Sequence, residues 1–445
     1  MKFVLVLLIS LFPVPVHEEY SEGSFICPGI EGSVSFVLDK DIPSEGYSIE
    51  VTPSGAEARY SDAGGLFYAH RALECLSTEV DDGLVGIPCC SILDYPRAAW
   101  RGFMLDSGRQ YQSPRTIMRL LDMMADLKMN VFHWHLTEGL GWRLPVRRYP
   151  KLARKGAFVA DGPEQQGYYT RKEIRQIVSY AAARNITVVP EVDIPGHAEA
   201  ALRVYPEYSC FGEPAEIPES GFTQTIFCAG KRRTIRFLKN VLNELCRLFP
   251  SEYIHLGGDE APKGNWDRCP DCARRMQEEG LKDSAELQLW LSAQMAAHLE
   301  KKGRKAIFWE DVLYKADYPL PDNVAIQWWN YRGHGASALS KAMEKGCKVI
   351  CSPNYYTYLN FPTQPWMGYE EDRTFSLDDA YLRNPVEEGL SIESPSVLGA
   401  ECALWTDYGL TEDILDERLF PRIYALSQLF WSGNSVQLLP AEVAD

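Results

Sequence analysis

Thr187-Val-Val-Pro-Glu-Val192, running straight into Asp193-Ile-Pro-Gly-His197, is the stretch from which the fold is read. Its apolar residues follow one another without the polar alternation of a half-exposed strand. A short run of this kind, closed by proline and glycine, fits a parallel strand covered on both faces. Seven further runs follow the same plan: Gly102–Asp106, Asn130–Leu136, Tyr253–Leu256, Lys305–Trp309, Val324–Trp329, Lys348–Cys351 and Val397–Leu404. Amphipathic stretches separate them. Ser113-Pro114 reads as an N-cap followed by proline at the first helical position, with Ile117, Leu120, Leu121 and Met124 on one face. Thr170 and Glu173 have capping-box spacing ahead of Ile174, Ile177 and Val178. Other helices are expected near Thr234–Leu248, Ser284–Lys302, Ala336–Lys345 and Glu417–Trp431. Eight strand–helix units in order predict an α/β fold, a (β/α)8 TIM barrel, because right-handed crossovers leave few other arrangements. Two half-barrels or an open doubly wound sheet are the alternatives.

Upstream of the barrel the pattern differs. Ser33–Leu38, Gly46–Val51 and Ala58–Ser61 are short alternating segments, and Ala63–Leu76 carries Leu66, Ala69, Leu73 and Leu76 at helical spacing. This predicts a small α+β domain over residues 17–97, with Ile92–Arg97 as the junction and the barrel over 98–445. Residues 1–16 read as a secretory signal: one basic residue, then an apolar run from Phe3 to Phe12 that is too short to span a bilayer. A secreted or periplasmic protein with no membrane span is therefore expected.

The whole chain has 445 residues, 46% hydrophobic and 24% charged, with a formal net charge of −16. That balance suits a globular protein with an ample core and opposes binding to nucleic acid. Its 11 Trp and 23 Tyr are compatible with sugar recognition and equally with core packing. Twelve cysteines permit disulfides without requiring them. Cys269-Pro-Asp-Cys272 is a CxxC, but a zinc site needs a second ligand pair, and Cys347 and Cys351 are poorly spaced to supply it. A disulfide or plain thiols are expected there, and neither a metal nor a cofactor.

In a TIM barrel the chemistry lies where the strands end at their carboxyl side. The residues after the eight runs are Arg109; Glu138; Asp193 and His197; Asp259 and Glu260; Trp309 and Asp311; Trp329; Tyr356 and Tyr358; and Trp405 and Asp407. Acids, a histidine and aromatics converge. No lysine is placed for a Schiff base, and neither a phosphate-binding glycine loop nor a serine nucleophile elbow is found. His133-Trp-His135 puts two histidines on one strand face, a pattern that suits metal binding but more commonly serves packing. Acids with aromatics point to glycoside hydrolysis, in which a proton must reach the leaving oxygen while positive charge grows at the sugar C1. His255-Leu-Gly-Gly-Asp-Glu260 carries the strongest signal. Two glycines free the backbone, so the adjacent carboxylates need not point to opposite faces, and their repulsion raises one pKa.

These motifs resemble those of the retaining β-N-acetylhexosaminidases of glycoside hydrolase family 20. The resemblance runs through Asp94–Gly102, Leu105–Arg109, Asn130–Thr137, Gly141–Arg143, Pro190–His197, His255–Pro262 and Trp309–Val312. It implies a glycan substrate with a terminal N-acetylhexosamine, and a mechanism in which the substrate's own acetamide attacks C1. By resemblance, Glu260 is the general acid and base, and Asp259 orients the acetamide and offsets the cation. Tyr358 bonds the acetamide oxygen, Trp309, Trp329 and Trp405 wall the sugar, Arg109 holds ring hydroxyls, and His197 supports the general acid.

Three departures from the family pattern stand out. Relatives read Thr-Asp-Asp-Gln-Gly-Trp where this chain has Thr137-Glu-Gly-Leu-Gly-Trp142, so the supporting carboxylate is Glu138. Tyr358-Leu-Asn360 replaces Tyr-Leu-Asp, and Trp405-Thr-Asp407 replaces Trp-x-Glu. The resemblance puts the last two near O4 and O6 of the sugar. Neutral Asn360 removes repulsion toward an anionic O6 substituent, which predicts tolerance of 6-sulfated N-acetylglucosamine. A glycosidase with an enzyme nucleophile and a non-catalytic carbohydrate-binding protein are the competing readings.

Overall fold

The computed structural model describes residues 13–81, 83–217, 223, 225–330, 335–362, 374–386, 390–407 and 410–433. The apolar run Phe3–Phe12 of the expected signal lies outside them.

In the small domain, strands β1 (His17–Cys27), β2 (Val34–Leu38), β3 (Tyr47–Thr52), β4 (Gly55–Tyr60), β5 (Thr78–Asp81) and β6 (Leu84–Asp94) form one sheet. Its order is β1-β6-β3-β4-β2, with β5 also on β6. The helix Ala63–Leu76 packs on it, started by the Asp62 carboxylate, which accepts from the Gly65 N–H. The sequence reading anticipated the helix but missed β1, β5 and β6. β1 is almost wholly exposed and polar, and β6 carries Pro88, so neither offers a buried-strand pattern. The junction that the sequence predicts from Ile92 begins inside β6, which runs to Asp94.

The barrel closes in chain order. Its strands are β7 (Trp100–Asp106), β8 (Val131–His135), β11 (Thr187–Glu191), β12 (Tyr253–His255), β13 (Lys305–Trp309), β14 (Val324–Trp328), β15 (Lys348–Cys351) and β16 (Val397–Leu404). β16 pairs in parallel with β7, so all eight expected runs are barrel strands. A two-residue hairpin pair, β9 (Thr137–Glu138) and β10 (Gly141–Trp142), stands on the end of β8. Ser113 caps the first barrel helix, with Pro114 in its first turn, and the Thr170–Glu173 capping box is formed.

Strand side chains alternate between faces, so steps of two residues climb the barrel interior. Trp100, Val131, Val189, Ile307, Ala325 and Ile350 fill one apolar layer. Two residues further along lie His133, Glu191, Trp309 and Gln327, all buried. One more step along β8 and β11 reaches His135 and Asp193, at the carboxyl-end rim of the barrel.

The two domains are fastened by buried charges. The Lys128 ammonium lies 2.6 Å from Asp94, which also accepts from Trp431 Nε1 at 2.7 Å and Tyr47 Oη at 2.9 Å. Arg101 pairs with Glu45 at 2.9 Å, and Trp431 is part of the small domain's core. The Asp94–Gly102 motif thus serves the junction rather than the chemistry.

Candidate active site

Asp259 and Glu260 follow β12 through Gly257 and Gly258, whose φ values are +62° and +105°. A Cβ on Gly257 would overlap the Asp193 carboxylate, so that backbone path needs glycine. Glu260 itself sits at φ +46°, a left-handed conformation that is uncommon for a non-glycine residue. Its N–H is held by Asp311 Oδ1 at 3.1 Å. The result is that neighbouring carboxylates, which on a strand would point apart, approach one imidazole nitrogen. His197 Nε2 is 3.5 Å from Asp259 and 3.7 Å from Glu260. The Asp259 side chain is 12% exposed and that of Glu260 38%, so only the second can readily meet a leaving group.

His197 is also in the left-handed region, at φ +47°. Its Nδ1 lies 2.8 Å from Glu138, and this contact fixes which nitrogen faces the acidic pair. Burial disfavours its charge, but Glu138 and Asp259 outweigh that and push its pKa up to about 10. Glu138 is buried; against that penalty Arg109 and His197 hold its carboxyl well below the usual range. Arg109 Nη2 is 3.5 Å from Glu138, and its Nη1 donates to Asp106 at 2.8 Å. Burial works against the Arg109 guanidinium, but Glu138, Asp106 and Asp407 keep its pKa well above normal.

Asp259 and Asp193 hydrogen-bond each other, and burial raises both pKa values, reinforced by Glu191 at Asp193 and by Asp193 at Asp259. Such a pair holds one proton between two carboxyls. His197 lowers the pKa of Asp259, and the nearby Glu191 raises that of Asp193. The Glu260 pKa is also raised, by burial first and then by Asp311, with His197 opposing.

The aromatic residues line the same end of the barrel. Trp309 Nε1 donates to Glu191 at 3.0 Å, and its ring lies 6.0 Å from that of Trp405. Trp329 and Tyr358 are stacked at 6.4 Å, and Tyr358 and Trp405 are 6.1 Å apart. Trp329 Nε1 donates to Asp311 at 2.8 Å, which links this wall to the carboxylate that holds Glu260. The Arg109 guanidinium lies 5.1 Å over Trp405. Asn360 Nδ2 is 3.5 Å from Asp407, whose pKa is raised by burial while Arg109 opposes the shift. The expected site residues are thus brought to one rim.

Sequence reasoning left the support beneath that rim unassigned. His133 and His135 do not merely pack: His133 lies 2.7 Å from Glu401 and 3.0 Å from Glu191, and His135 also bonds Glu191. His255 adds a third contact to Glu191 at 3.0 Å. Glu310 accepts the backbone N–H groups of Trp329 and Asn330 at 3.0 and 2.9 Å, which ties β13 to β14. Strand position exposed Asp193 and Asp311 as rim acids, but only the folded chain gives them partners.

A sequence profile described as the glycosyl hydrolase family 20 catalytic domain matches residues 99–434, and the profile of that family's domain 2 matches residues 9–95. The chain belongs to glycosyl hydrolase family 20. It is a glycoside hydrolase. A β-hexosaminidase of Porphyromonas gingivalis is 35% identical over 441 residues, covering 94% of this chain; this chain spans about half (54%) of that protein. A β-hexosaminidase of Akkermansia muciniphila is 32% identical, covering 96% of this chain and 87% of its own length. The crystal structure of a β-N-acetylhexosaminidase from Bacteroides fragilis superposes with a TM-score of 0.90 at 50% identity, covering 97% of this chain and 92% of that one. Within this family 20 fold, the departure at Glu138 has a visible consequence. Its longer arm reaches His197 at 2.8 Å while staying 3.5 Å from both His135 and Arg109.

The sequence reading found no second ligand pair for Cys269 and Cys272, and this is corrected by the fold. Cys210 and Cys228, distant in the chain, are brought against them.

Proposed function

We propose that this family 20 hydrolase is a retaining exo-β-N-acetylhexosaminidase that cleaves terminal β-linked N-acetylhexosamine with help from the substrate's acetamide. Glu260 donates its proton to the glycosidic oxygen as the C1–O bond breaks. The acetamide carbonyl oxygen bonds to C1 and forms an oxazolinium ion. Asp259 accepts the acetamide N–H and offsets the cation, and the Tyr358 hydroxyl donates to the acetamide oxygen. Glu260, now a carboxylate, takes a proton from water as the water oxygen attacks C1 and reopens the oxazolinium ring. Two displacements at C1 retain the β configuration. Trp309, Trp329 and Trp405 shelter the amide and ring, and Arg109, Asn360 and Asp407 meet the hydroxyls.

The observation that carries this reading is the approach of Asp259 and Glu260 to the same His197 nitrogen. Retaining enzymes with their own nucleophile set two carboxyls across the sugar, about 5–5.5 Å apart. Here both approach one imidazole nitrogen, one sunk and one exposed, which supports a reading in which the substrate supplies the nucleophile. An intramolecular amide has a high effective concentration, and a buried anion stabilises the ion it forms. The B. fragilis neighbour is a β-N-acetylhexosaminidase, and a neighbour from Vibrio harveyi (TM-score 0.83, 26% identity) is an exo-β-N-acetylglucosaminidase in complex with N-acetylglucosamine. The test compares an aryl N-acetyl-β-glucosaminide with the matching aryl β-glucoside. Turnover of the first with β-product formed initially, and none of the second, is expected. Comparable turnover of both, or initial α-product, would overturn the proposal.

A further inference from the structure

Cys210, Cys228, Cys269 and Cys272 meet outside the acidic site, buried beneath the surface to 7, 0, 1 and 0% exposure. Their sulfurs are 4.0 Å apart for Cys210 and Cys272, 3.8 Å for Cys228 and Cys269, and 3.6 Å for Cys228 and Cys272. All four lie within 4.8 Å of one another. A disulfide would need about 2.05 Å between two sulfurs and would leave Cys228 one partner, not two. Tetrahedral zinc with Zn–S distances of about 2.3 Å demands a sulfur–sulfur edge of about 3.8 Å. The observed spacings fall on either side of that edge. We propose that these four cysteines form a structural tetrathiolate zinc site.

The surroundings suit thiolates. Cys269 is the N-cap of the helix Pro270–Glu279, and Cys272 lies in its first turn, where the helix dipole favours negative charge. The N–H groups of Gly230 and Lys231 are directed at the Cys228 sulfur. A Cβ on Gly230 would overlap the Asp271–Cys272 peptide, so only glycine lets the two cysteine-bearing loops approach so closely. Five cations, Lys231, Arg232, Arg233, Arg274 and Arg275, line a groove beside the cluster with two acids, Asp271 and Glu278, a net basic setting for a centre of formal charge about −2.

The position also gives the site a task. Cys210 and Cys228 belong to the segment after β11, in which the N–H of Phe227 donates to the carbonyl of Pro195, two residues before His197. Cys269 and Cys272 follow the Asp259–Glu260 turn, and Trp266 Nε1 donates to the carbonyl of Phe227 at 3.0 Å. One ion would join the two loops that carry the histidine and the acidic pair.

Elemental analysis of the purified full-length protein should find about one zinc per chain. Cys228→Ser should lower that content about tenfold, whereas Cys347→Ser, away from the cluster, should not. Cobalt-exchanged wild type gives a readout that does not depend on how Cys228→Ser folds: sulfur-to-cobalt charge-transfer absorption with intense visible bands is expected. Chelation should lower the melting temperature, and added zinc should restore it. Non-reducing peptide mapping that finds Cys210–Cys272 or Cys228–Cys269 disulfides would overturn the proposal. So would metal-free protein whose four thiols stay open to alkylation in the presence of zinc.

Discussion

Two layers of the same barrel, two residues apart along each strand, are built on opposite principles. The lower is apolar, with Val131, Val189, Ile307 and Ile350 meeting around Trp100. The upper holds His133, Glu191, His255, Gln327 and Glu401, all buried and joined to one another. In that layer burial raises the Glu191 pKa, but the three histidines reverse it and hold the carboxyl well below its usual range. Burial alone would depress His133, yet Glu401 and Glu191 push it up to about 9. The lower layer gains from hydrophobic burial and is indifferent to pH. The upper layer gives up some of that gain to build a charged floor for the residues above it. This fold keeps stability in the apolar layer and supports its chemistry from the charged one.

The largest effect should come at the rim. Glu260→Gln should lower kcat by ~10²–10⁴-fold on an aryl N-acetylglucosaminide with an unactivated leaving group, with an unchanged melting temperature because the side chain is partly exposed. Asp259→Asn should cost ~10²–10³-fold in kcat. Near-wild-type turnover in both variants would break the assignment.

Changes within the two layers sharpen the contrast. Glu191→Gln strips a buried charge from its histidines and should destabilise the fold by ~3–5 kcal/mol, with activity falling as well. Ile307→Val in the lower layer should cost ~0.5–1.5 kcal/mol and leave kcat intact. Equal losses of stability from the two substitutions would contradict the division between layers.

A smaller effect concerns pH. Glu260 must be protonated to donate, so kcat/KM falls as pH rises through its pKa. Asp311 raises that pKa. Asp311→Asn keeps an acceptor for the Glu260 N–H but removes the charge, so the alkaline limb of the kcat/KM profile should move to lower pH. An upward move would show that another group sets that limb. The smallest expected change is in substrate range. With Asn360 neutral, a 6-sulfated aryl N-acetylglucosaminide should be hydrolysed within about tenfold of the unsulfated one, a difference of ~1.4 kcal/mol. Rejection by several orders of magnitude would refute that expectation, the Asp407 carboxylate then being the dominant neighbour.

The barrel was legible because its strands are continuous apolar runs, and the rim because function follows strand ends. Lys305–Trp309 and Val397–Leu404 were read to the residue. β1 escaped because an exposed polar edge strand has no buried face to give it a period. The left-handed turns at His197 and Glu260 left no mark in residue type, since neither is glycine. The proton shared by Asp193 and Asp259 could not be read either, because two acids after different strands become neighbours only when the barrel closes. The same is true of the cysteine cluster. Its CxxC half is local, and its other half joins residues 41 to 62 positions away.

The substrate's amide is the proposed nucleophile, and graded fluorination of the acetamide tests that role most directly. Each fluorine weakens the carbonyl oxygen as a nucleophile while barely changing its size. Aryl glycosides bearing acetyl, monofluoroacetyl, difluoroacetyl and trifluoroacetyl groups should show a steep, monotonic fall in kcat. A flat series would mean that the carbonyl takes no part in the attack on C1.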